Sequence, residues 1–174
     1  MNRNFKTSGF SLVEAIVAIG VISVGFVGSL VLISKSSAQA SVLKDRVVAA
    51  HLAAEGVEVV RNIRDTNYLK GSPWLTDIPD TLSGIVDYNS ISVDASDSSE
   101  ARKCLNWSGS TYKHAVSPAY VCNTSFKSHL EITTKMETIS GNNVSYLEIK
   151  SIVDWKEKNL NQSTMVIEHL YDWK

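Results

Sequence analysis

Hydrophobic residues fill the beginning of the chain, where twenty consecutive residues from Ala15 to Ser34 carry no charge. As an α-helix rising 1.5 Å per residue, this run would be about 30 Å long, the thickness of a bilayer's hydrocarbon core. No proline occurs between Phe10 and Pro73, so nothing in the sequence breaks a helix there. The pattern predicts a membrane-spanning helix over residues 10–34.

After residue 34 the apolar residues lie on one face of the predicted helix only. The same helix is predicted to continue through residues 35–65. Apolar positions recur at the i, i+3, i+4, i+7 spacing of an amphipathic helix, and polar residues lie roughly opposite them. We expect the apolar face to pack on a sheet. Its predicted members are Ala49, Leu52, Ala53, Gly56, Val59, Val60 and Ile63, and the polar stripe is His51, Glu55, Glu58, Asn62 and Asp65.

Residues 66–174 are predicted to form a globular domain that contains an antiparallel sheet. Its first part is rich in glycine, proline, serine and aspartate, which indicates loops around short strands, and residues 84–93 are the best strand candidate there. Three longer segments with strand composition follow, and "SGNN" and "KEKNLNQ" separate them as turns. These segments cover residues 129–139, 144–155 and 163–173. The predicted fold class is therefore α+β.

Alternation within the strands predicts which side chains face the core. The first long segment alternates Leu130, Ile132 and Met136 with polar residues. The second does the same with Leu147, Ile149, Val153 and Trp155. The third has apolar residues on both faces, so the pattern leaves its register open.

The distribution of charge orients the membrane segment. The chain carries 17 basic and 18 acidic residues, and Arg3 and Lys6 precede the apolar run. By the positive-inside rule the N-terminus stays in the cytoplasm and the C-terminal domain lies outside. The rest of the chain is mildly acidic, so it has no general electrostatic footprint for nucleic acid.

Glu14 lies at the beginning of this apolar run, and three interpretations account for the segment. A carboxylate at the centre of a lone membrane helix costs about 2.5–3.5 kcal/mol on insertion scales. In a simple signal anchor Glu14 would lie among the lipid headgroups. In a cleaved secretory signal, Ala38-Gln39-Ala40 would be the cleavage site and Ser41 the new N-terminus, but the run exceeds the usual 7–15 apolar residues.

The third interpretation is a family resemblance. The stretch Lys6-Thr7-Ser8-Gly9-Phe10-Ser11-Leu12-Val13-Glu14 resembles the processing motif of type IV prepilins and pseudopilins. In that family a membrane aspartyl peptidase cuts a short basic leader after the glycine, the new N-terminus is usually methylated, and the fifth mature residue is glutamate. The resemblance implies a leader over residues 1–9, cleavage between Gly9 and Phe10, and methylation of Phe10.

In an assembled filament, the resemblance implies that Glu14 pairs with the Phe10 ammonium of a neighbouring subunit. That contact would relieve both charges in a low-dielectric environment. "VISVGFVGSL" and "AAHLAAEGVEVVRNIRD" are more similar to minor members than to major ones. Many family members have a proline within the membrane helix, whereas this chain has Gly20, Gly25 and Gly28 there.

The implied function is that of a pilin-like structural subunit in a type IV pilus, a type II secretion pseudopilus or a competence pseudopilus. Its roles would be adhesion, motility, DNA uptake or protein secretion. The implied partners are the peptidase and N-methyltransferase, other pilin subunits, an inner-membrane assembly platform and, before assembly, membrane lipid. The alternative is an unprocessed, N-terminally anchored binding module outside the cytoplasm.

Cys104 and Cys122 are the chain's two cysteines, and they fall on the side predicted to be extracytoplasmic, where disulfides persist. A bridge closing this loop would stabilise the fold by about 3 kcal/mol in the chain-entropy model. Two free thiols or a metal pair are the alternatives, although two cysteines without suitably spaced histidines make a poor zinc site. Both cysteines precede the three long strands, so the resembled family's C-terminal bridge cannot be transferred.

Few other residues in the sequence indicate a binding or catalytic site. Asp94, Asp97 and Glu100 could supply calcium ligands, but their spacing fits no EF-hand, and a solvated acidic loop is the alternative. The aromatic and basic residues between the cysteines could stack on single-stranded DNA or a glycan, or cover a sheet edge. They are Trp107, Tyr112, Lys113, His114 and Tyr120. No catalytic motif is present, so we expect neither an enzyme nor a cofactor.

Overall fold

One long helix and two antiparallel sheets make up the fold in the computed structural model, which describes residues 9–96, 99–115, 121–139 and 141–172. This confirms the α+β class. Contacts divide the chain into two units with a boundary between Leu43 and Lys44. The elements are α1 (Leu12–Lys70), β1 (Thr81–Gly84), β2 (Leu105–Trp107), β3 (Tyr112–His114), β4 (Lys127–Ile139), β5 (Asn142–Glu157) and β6 (Leu160–Tyr171).

Helix α1 ends at Lys70, beyond the Asp65 at which the amphipathic pattern fades. Gly71 adopts a positive φ of 69° and donates its N–H to the Tyr68 carbonyl at 3.0 Å, while the Ser72 N–H reaches the Asn67 carbonyl at 2.9 Å. These two bonds form a Schellman motif, in which glycine has no Cβ to oppose the left-handed conformation. The helix therefore stops where its last carbonyls are satisfied.

The C-terminal half of α1 packs on the sheet with the face that the pattern predicted. All seven predicted positions are buried, and Val57, Arg64 and Asn67 join them. The helix lies close to the sheet at Gly56, where a Cβ would meet the Ser151 hydroxyl at 2.5 Å and a Leu130 methyl at 3.2 Å. A larger residue at this position would force those side chains to shift.

The main sheet has the strand order β1-β4-β5-β6, and all of its pairs are antiparallel. The second sheet is the small hairpin β2–β3. The predicted inward residues of β5 are buried, which confirms their alternation. The turn between β5 and β6 is tighter than "KEKNLNQ" suggested, because Lys158 and Asn159 alone connect the strands, both with positive φ. Two such residues match the type I′ hairpin turn.

Two strand predictions need correction. In β4, Leu130 and Ile132 are buried as predicted, but Met136 is 79% exposed because residues 133–139 extend beyond the core. Residues 84–93 do not form one strand, since β1 ends at Gly84 and only the bridge between Ile85 and Asp94 follows. That segment loops back on itself instead.

The pairing of β6 with β5 decides the register that the sequence left open. Val166 and Leu170 face inward, and Leu170 is 3% exposed, whereas Met165 and Ile167 are each 50% exposed on the other face. The buried side chains form two clusters on the helix side of the sheet. The larger contains Val57, Val60, Ile63, Leu130, Ile132, Leu147, Ile149 and Leu170 among others, and the smaller contains Ala49, Leu52, Ala53, Leu105, Phe126, Val153 and Trp155.

We predict that Gly56→Leu lowers the free energy of unfolding by about 1–3 kcal/mol, because overpacking a close helix–sheet contact forces neighbouring groups to move. Ala54→Leu is the matched control, since Ala54 is exposed on the same helix and its replacement should change stability by about 0.5 kcal/mol or less. Urea denaturation of the full chain in detergent micelles, followed by tryptophan fluorescence, measures both. Equal effects of the two variants would contradict the close contact.

Candidate assembly and membrane segment

The N-terminus of α1 brings Glu14 into the first helical turn. The helix begins at Leu12, and the Ala15 N–H donates to the Ser11 carbonyl at 3.1 Å. Ser11 thus holds the N-cap position and Glu14 the third helical position, the spacing of a capping box. A carboxylate in the first turn is also favoured by the helix dipole. This local role for Glu14 is readable from "SLVE", but the sequence analysis missed it.

The first half of α1 exposes its apolar side chains. α1 contains a stretch long and apolar enough to cross a bilayer, and none of its most apolar 18-residue window is buried inside the protein. Large side chains from Phe10 to Ile33 are between 48% and 76% exposed. Such an area needs an apolar environment, which lipid or other helices can supply.

Polar groups inside this stretch are satisfied within the helix. The Ser23 hydroxyl donates to the Ile19 carbonyl at 2.7 Å, and the Ser29 hydroxyl donates to the Gly25 carbonyl at 2.9 Å. A hydroxyl bonded to the i−4 carbonyl leaves no donor that would need water. The two serines are therefore compatible with a hydrocarbon environment.

The three glycines of this stretch contact nothing else in the described part of the chain. A Cβ built on Gly20, Gly25 or Gly28 would meet nothing within 4 Å, and α1 runs through all three without a break. Small residues let helices approach closely in membranes. Any close contact at these positions would therefore have to come from lipid or another chain.

The proposed processing site lies directly before the helix. Gly9 and Phe10 are exposed, with Phe10 74% accessible, and a Cβ on Gly9 would touch nothing. Within the described residues Glu14 is exposed and forms no ion pair. The rest of the leader, including Lys6, lies outside the described residues. The segment thus offers an accessible Gly9–Phe10 peptide and an accessible carboxylate four residues later.

Cys104 and Cys122 are brought together in the globular unit. Their sulfurs lie at bonding distance, and their Cα atoms are 5.7 Å apart, within the usual disulfide range. Asn106 and Asn123 reinforce the same junction, because the Asn123 side chain accepts from the Trp107 N–H at 2.8 Å and donates to its carbonyl at 3.0 Å. The bond joins the start of β2 to the chain that leads into β4.

A buried histidine holds the loop after β1. Asp87 accepts hydrogen bonds from the His114 backbone and from its ring Nδ1, both at 2.9 Å, while the other ring nitrogen lies 3.0 Å from the Ser128 carbonyl. Burial raises the pKa of Asp87, but the His114 hydrogen bonds outweigh it and lower the pKa below its ordinary value. Burial and the nearby Asp87 carboxylate raise the pKa of Glu55.

Basic side chains form ion pairs with the carboxylates of the acidic loop. Asp94 pairs with Arg102, and Glu100 pairs with Lys103 at 2.6 Å and with Lys127 at 3.4 Å. Asp97, the third predicted ligand, lies outside the described residues. Among the residues that are described, no three His, Cys, Asp or Glu side chains are grouped to hold a metal ion.

The aromatic residues near the disulfide contact one another in tilted and edge-to-face arrangements. The Trp107 and Tyr112 rings lie 4.8 Å apart, Tyr112 meets the edge of Phe126, and Phe126 contacts Trp155 of the core. Lys113 lies over the Tyr88 ring at 5.1 Å. Tyr120 lies outside the described residues. These contacts agree with aromatic rings that cover the sheet.

Comparisons with protein-family models, with curated proteins and with solved structures found no match to this chain. What is established is thus the geometry: a helix whose first half is apolar and exposed, and a disulfide-linked α+β domain that covers its second half.

We predict that reducing the Cys104–Cys122 bond lowers the free energy of unfolding by about 3 kcal/mol, because the open loop gains conformational entropy mainly in the unfolded chain. Urea denaturation with and without dithiothreitol measures the difference. The Cys104→Ala/Cys122→Ala variant is the control and should be insensitive to reductant. Two titratable thiols in the untreated chain would contradict the bond.

We predict that Asp87→Asn lowers the free energy of unfolding at pH 7 by about 1–3 kcal/mol, the range for a hydrogen-bonded charged group. The pKa of Asp87 is lower in the folded chain, so its stabilisation is present above the unfolded pKa of about 3.9 and is lost as pH falls through the folded value. The difference from wild type should therefore shrink below about pH 4.

Urea denaturation at several pH values measures this dependence. Asp45→Asn is the matched control, because Asp45 forms no ion pair in the described part of the chain. A loss of stability on Asp87→Asn that stays constant between pH 3 and pH 7 would contradict an ionised Asp87.

Proposed function

We propose that this chain is a type IV pilin-like structural subunit, of the minor pilin or pseudopilin kind, cleaved between Gly9 and Phe10 and methylated on Phe10. It is held in the cytoplasmic membrane by residues 10–34, with the C-terminal domain outside, and is then drawn into an extracellular or periplasmic filament. We assign it no catalytic role and no cofactor; it is itself the substrate of the peptidase and the methyltransferase.

The observation that carries this proposal is the exposed apolar half of α1 with a single carboxylate in its first turn, directly after Gly9 and Phe10. A plain anchor needs only apolar length, and Glu14 would serve it only as a local helix cap. A filament subunit needs two apolar environments in succession, lipid before assembly and sister helices afterwards. The exposed side chains around the whole helix suit both.

The electrostatic argument depends on the cleavage. Hydrolysis of the Gly9–Phe10 peptide bond leaves an ammonium on Phe10, four residues from Glu14. In a low-dielectric helix bundle each of these charges is costly alone, and pairing across neighbouring subunits offsets the cost. A subunit in the wrong register would keep an unpaired charge, so the contact would also select the register of assembly. Partners of this kind are other subunits and an inner-membrane assembly platform.

A second candidate function is an unprocessed, anchored binding module. The capping-box spacing of Ser11 and Glu14 favours it, because a helix cap gives the carboxylate a purpose without cleavage or assembly. The two candidates differ in the mature N-terminus.

Mass spectrometry of the chain purified from membranes of its native host tests the processing. We expect a mature chain that begins at methylated Phe10. A chain retaining residues 1–9 would overturn the proposal in favour of the anchored module, and a chain beginning at Ser41 would identify a cleaved secretory protein.

We predict that Glu14→Gln reduces incorporation into filaments at least tenfold, the effect of about 1.4 kcal/mol, while cleavage after Gly9 continues. Glutamine can still form a capping box but carries no charge, so this variant separates pairing from capping. Immunoblots of sheared filaments and of membranes measure incorporation and processing.

Glu58→Gln is the control, because Glu58 lies on the exposed face of α1 and pairs with Arg61 within the chain. If Glu14→Gln assembles normally while Glu14→Ala does not, the cap and not the charge is what matters, and the pairing role is refuted.

A further inference from the structure

The ring of His114 has an oxygen atom at hydrogen-bond distance from each of its two nitrogens. Nδ1 lies 2.9 Å from the Asp87 carboxylate, and Nε2 lies 3.0 Å from the Ser128 backbone carbonyl. The carbonyl can only accept, and the same Asp87 oxygen already accepts the His114 backbone N–H at 2.9 Å. Both ring contacts are therefore hydrogen bonds at the same time only when both ring nitrogens carry a hydrogen.

A neutral His114 ring would satisfy only one of these two oxygens, because a neutral imidazole has one N–H and one acceptor nitrogen. With the hydrogen on Nδ1, the lone pair of Nε2 would face the Ser128 carbonyl. With the hydrogen on Nε2, the lone pair of Nδ1 would face the Asp87 carboxylate. The His114 side chain is only 4% exposed, and a polar group that is left unpaired at a buried site is costly. The charged ring satisfies both partners.

The charged groups around this pair also favour a positive ring. Burial and the Asp87 carboxylate raise the pKa of Glu55 on α1, whereas His114 lowers it. Lys113 acts on Asp87 from β3, and its ammonium lies 5.1 Å from the centre of the Tyr88 ring. β4 contributes the neutral Ser128 carbonyl. Burial disfavours an imidazolium, but two carboxylates against one ammonium leave a negative charge that a proton on His114 balances.

The contact between Asp87 and His114 joins a loop to the body of the globular unit. Residues 85–94 form this loop, which is closed at its base by two backbone hydrogen bonds between Ile85 and Asp94, at 2.9 and 3.1 Å. Val93 of the loop is buried in the larger hydrophobic cluster, and Val86 packs against it. His114, at the end of β3, thus holds a loop that covers part of the core.

We propose that His114 is an imidazolium in the folded chain and that its second ring proton makes it a pH-sensitive clasp for the loop 85–94. When the pH rises and the ring loses this proton, one of its two hydrogen bonds is lost. The stabilisation is fully present below the pKa of an unfolded histidine, about 6.5, and is lost as the folded ring deprotonates at higher pH. The clasp needs neither cleavage nor a filament, so it does not depend on the proposed function.

Nitrogen NMR of the full chain in detergent micelles tests the protonation state. The ring of His114 is assigned through its own backbone resonances, so the assignment needs no variant. At pH 7 we expect two ring N–H groups in the wild type and one in Asp87→Asn, because an amide does not stabilise the positive charge. A single ring N–H on His114 in the wild type at pH 7 would overturn the proposal.

Hydrogen exchange of the loop amides tests the clasp. After correction for the intrinsic effect of pH, protection of residues 85–94 should fall at least tenfold between pH 6 and pH 9, and His114→Gln should abolish this dependence. His169→Gln, which removes an exposed histidine of β6, and Glu55→Gln, which removes the carboxylate on α1, should both retain it. Loop protection that stays constant in the wild type would overturn the proposal and leave the N-terminal mass measurement unaffected.

Discussion

Helix α1 and strand β5 approach so closely at Gly56 that a methyl group there would meet the Ser151 hydroxyl. This contact lets the two layers lie close together, and the two hydrophobic clusters lie on opposite sides of it along the helix. A small residue on the helix thus meets a small residue on a central strand between the larger side chains of the core. The rest of the globular unit depends on this layer spacing.

The first half of the same helix follows the opposite rule, since no residue of its most apolar 18-residue window is buried within the described part of the chain. The hydroxyls of Ser23 and Ser29 donate to carbonyls of the same helix, so these two groups require no water. The carboxylate of Glu14 lies at the helix start, where the N–H groups of the first turn and the helix dipole favour a negative charge. The helix dipole lowers the cost of that carboxylate, and a partner's ammonium would lower it further in the proposed filament.

Between β1 and β4, contacts between distant residues take the place of a long backbone ladder. The disulfide, the Asn123 amide and the Asp87–His114 contact hold the segments between β1 and β4 against the sheet. Each joins residues far apart in sequence and lies near a short or irregular element. Such links compensate for a region that has few backbone ladder bonds.

By itself the sequence determined the features that repeat locally. The 3.6-residue spacing of Ala49, Leu52, Ala53 and Gly56 identified the buried helix face, and the alternation of β5 identified its inward side chains. Such patterns hold because each residue's burial follows from the geometry of its own element. The motif around Gly9, Phe10 and Glu14 supplies a functional hypothesis of the same local kind.

Only the tertiary structure decided what depends on distant partners. Met136 continues the alternation of β4 yet is exposed, because the core does not extend that far, and residues 84–93 form a loop in which the Asp87 side chain binds His114. The inward side of β6, with Val166 and Leu170 rather than Met165 and Ile167, follows from its register on β5. Register and edge exposure are set by strands brought together across the fold, so no periodicity within one strand could reveal them.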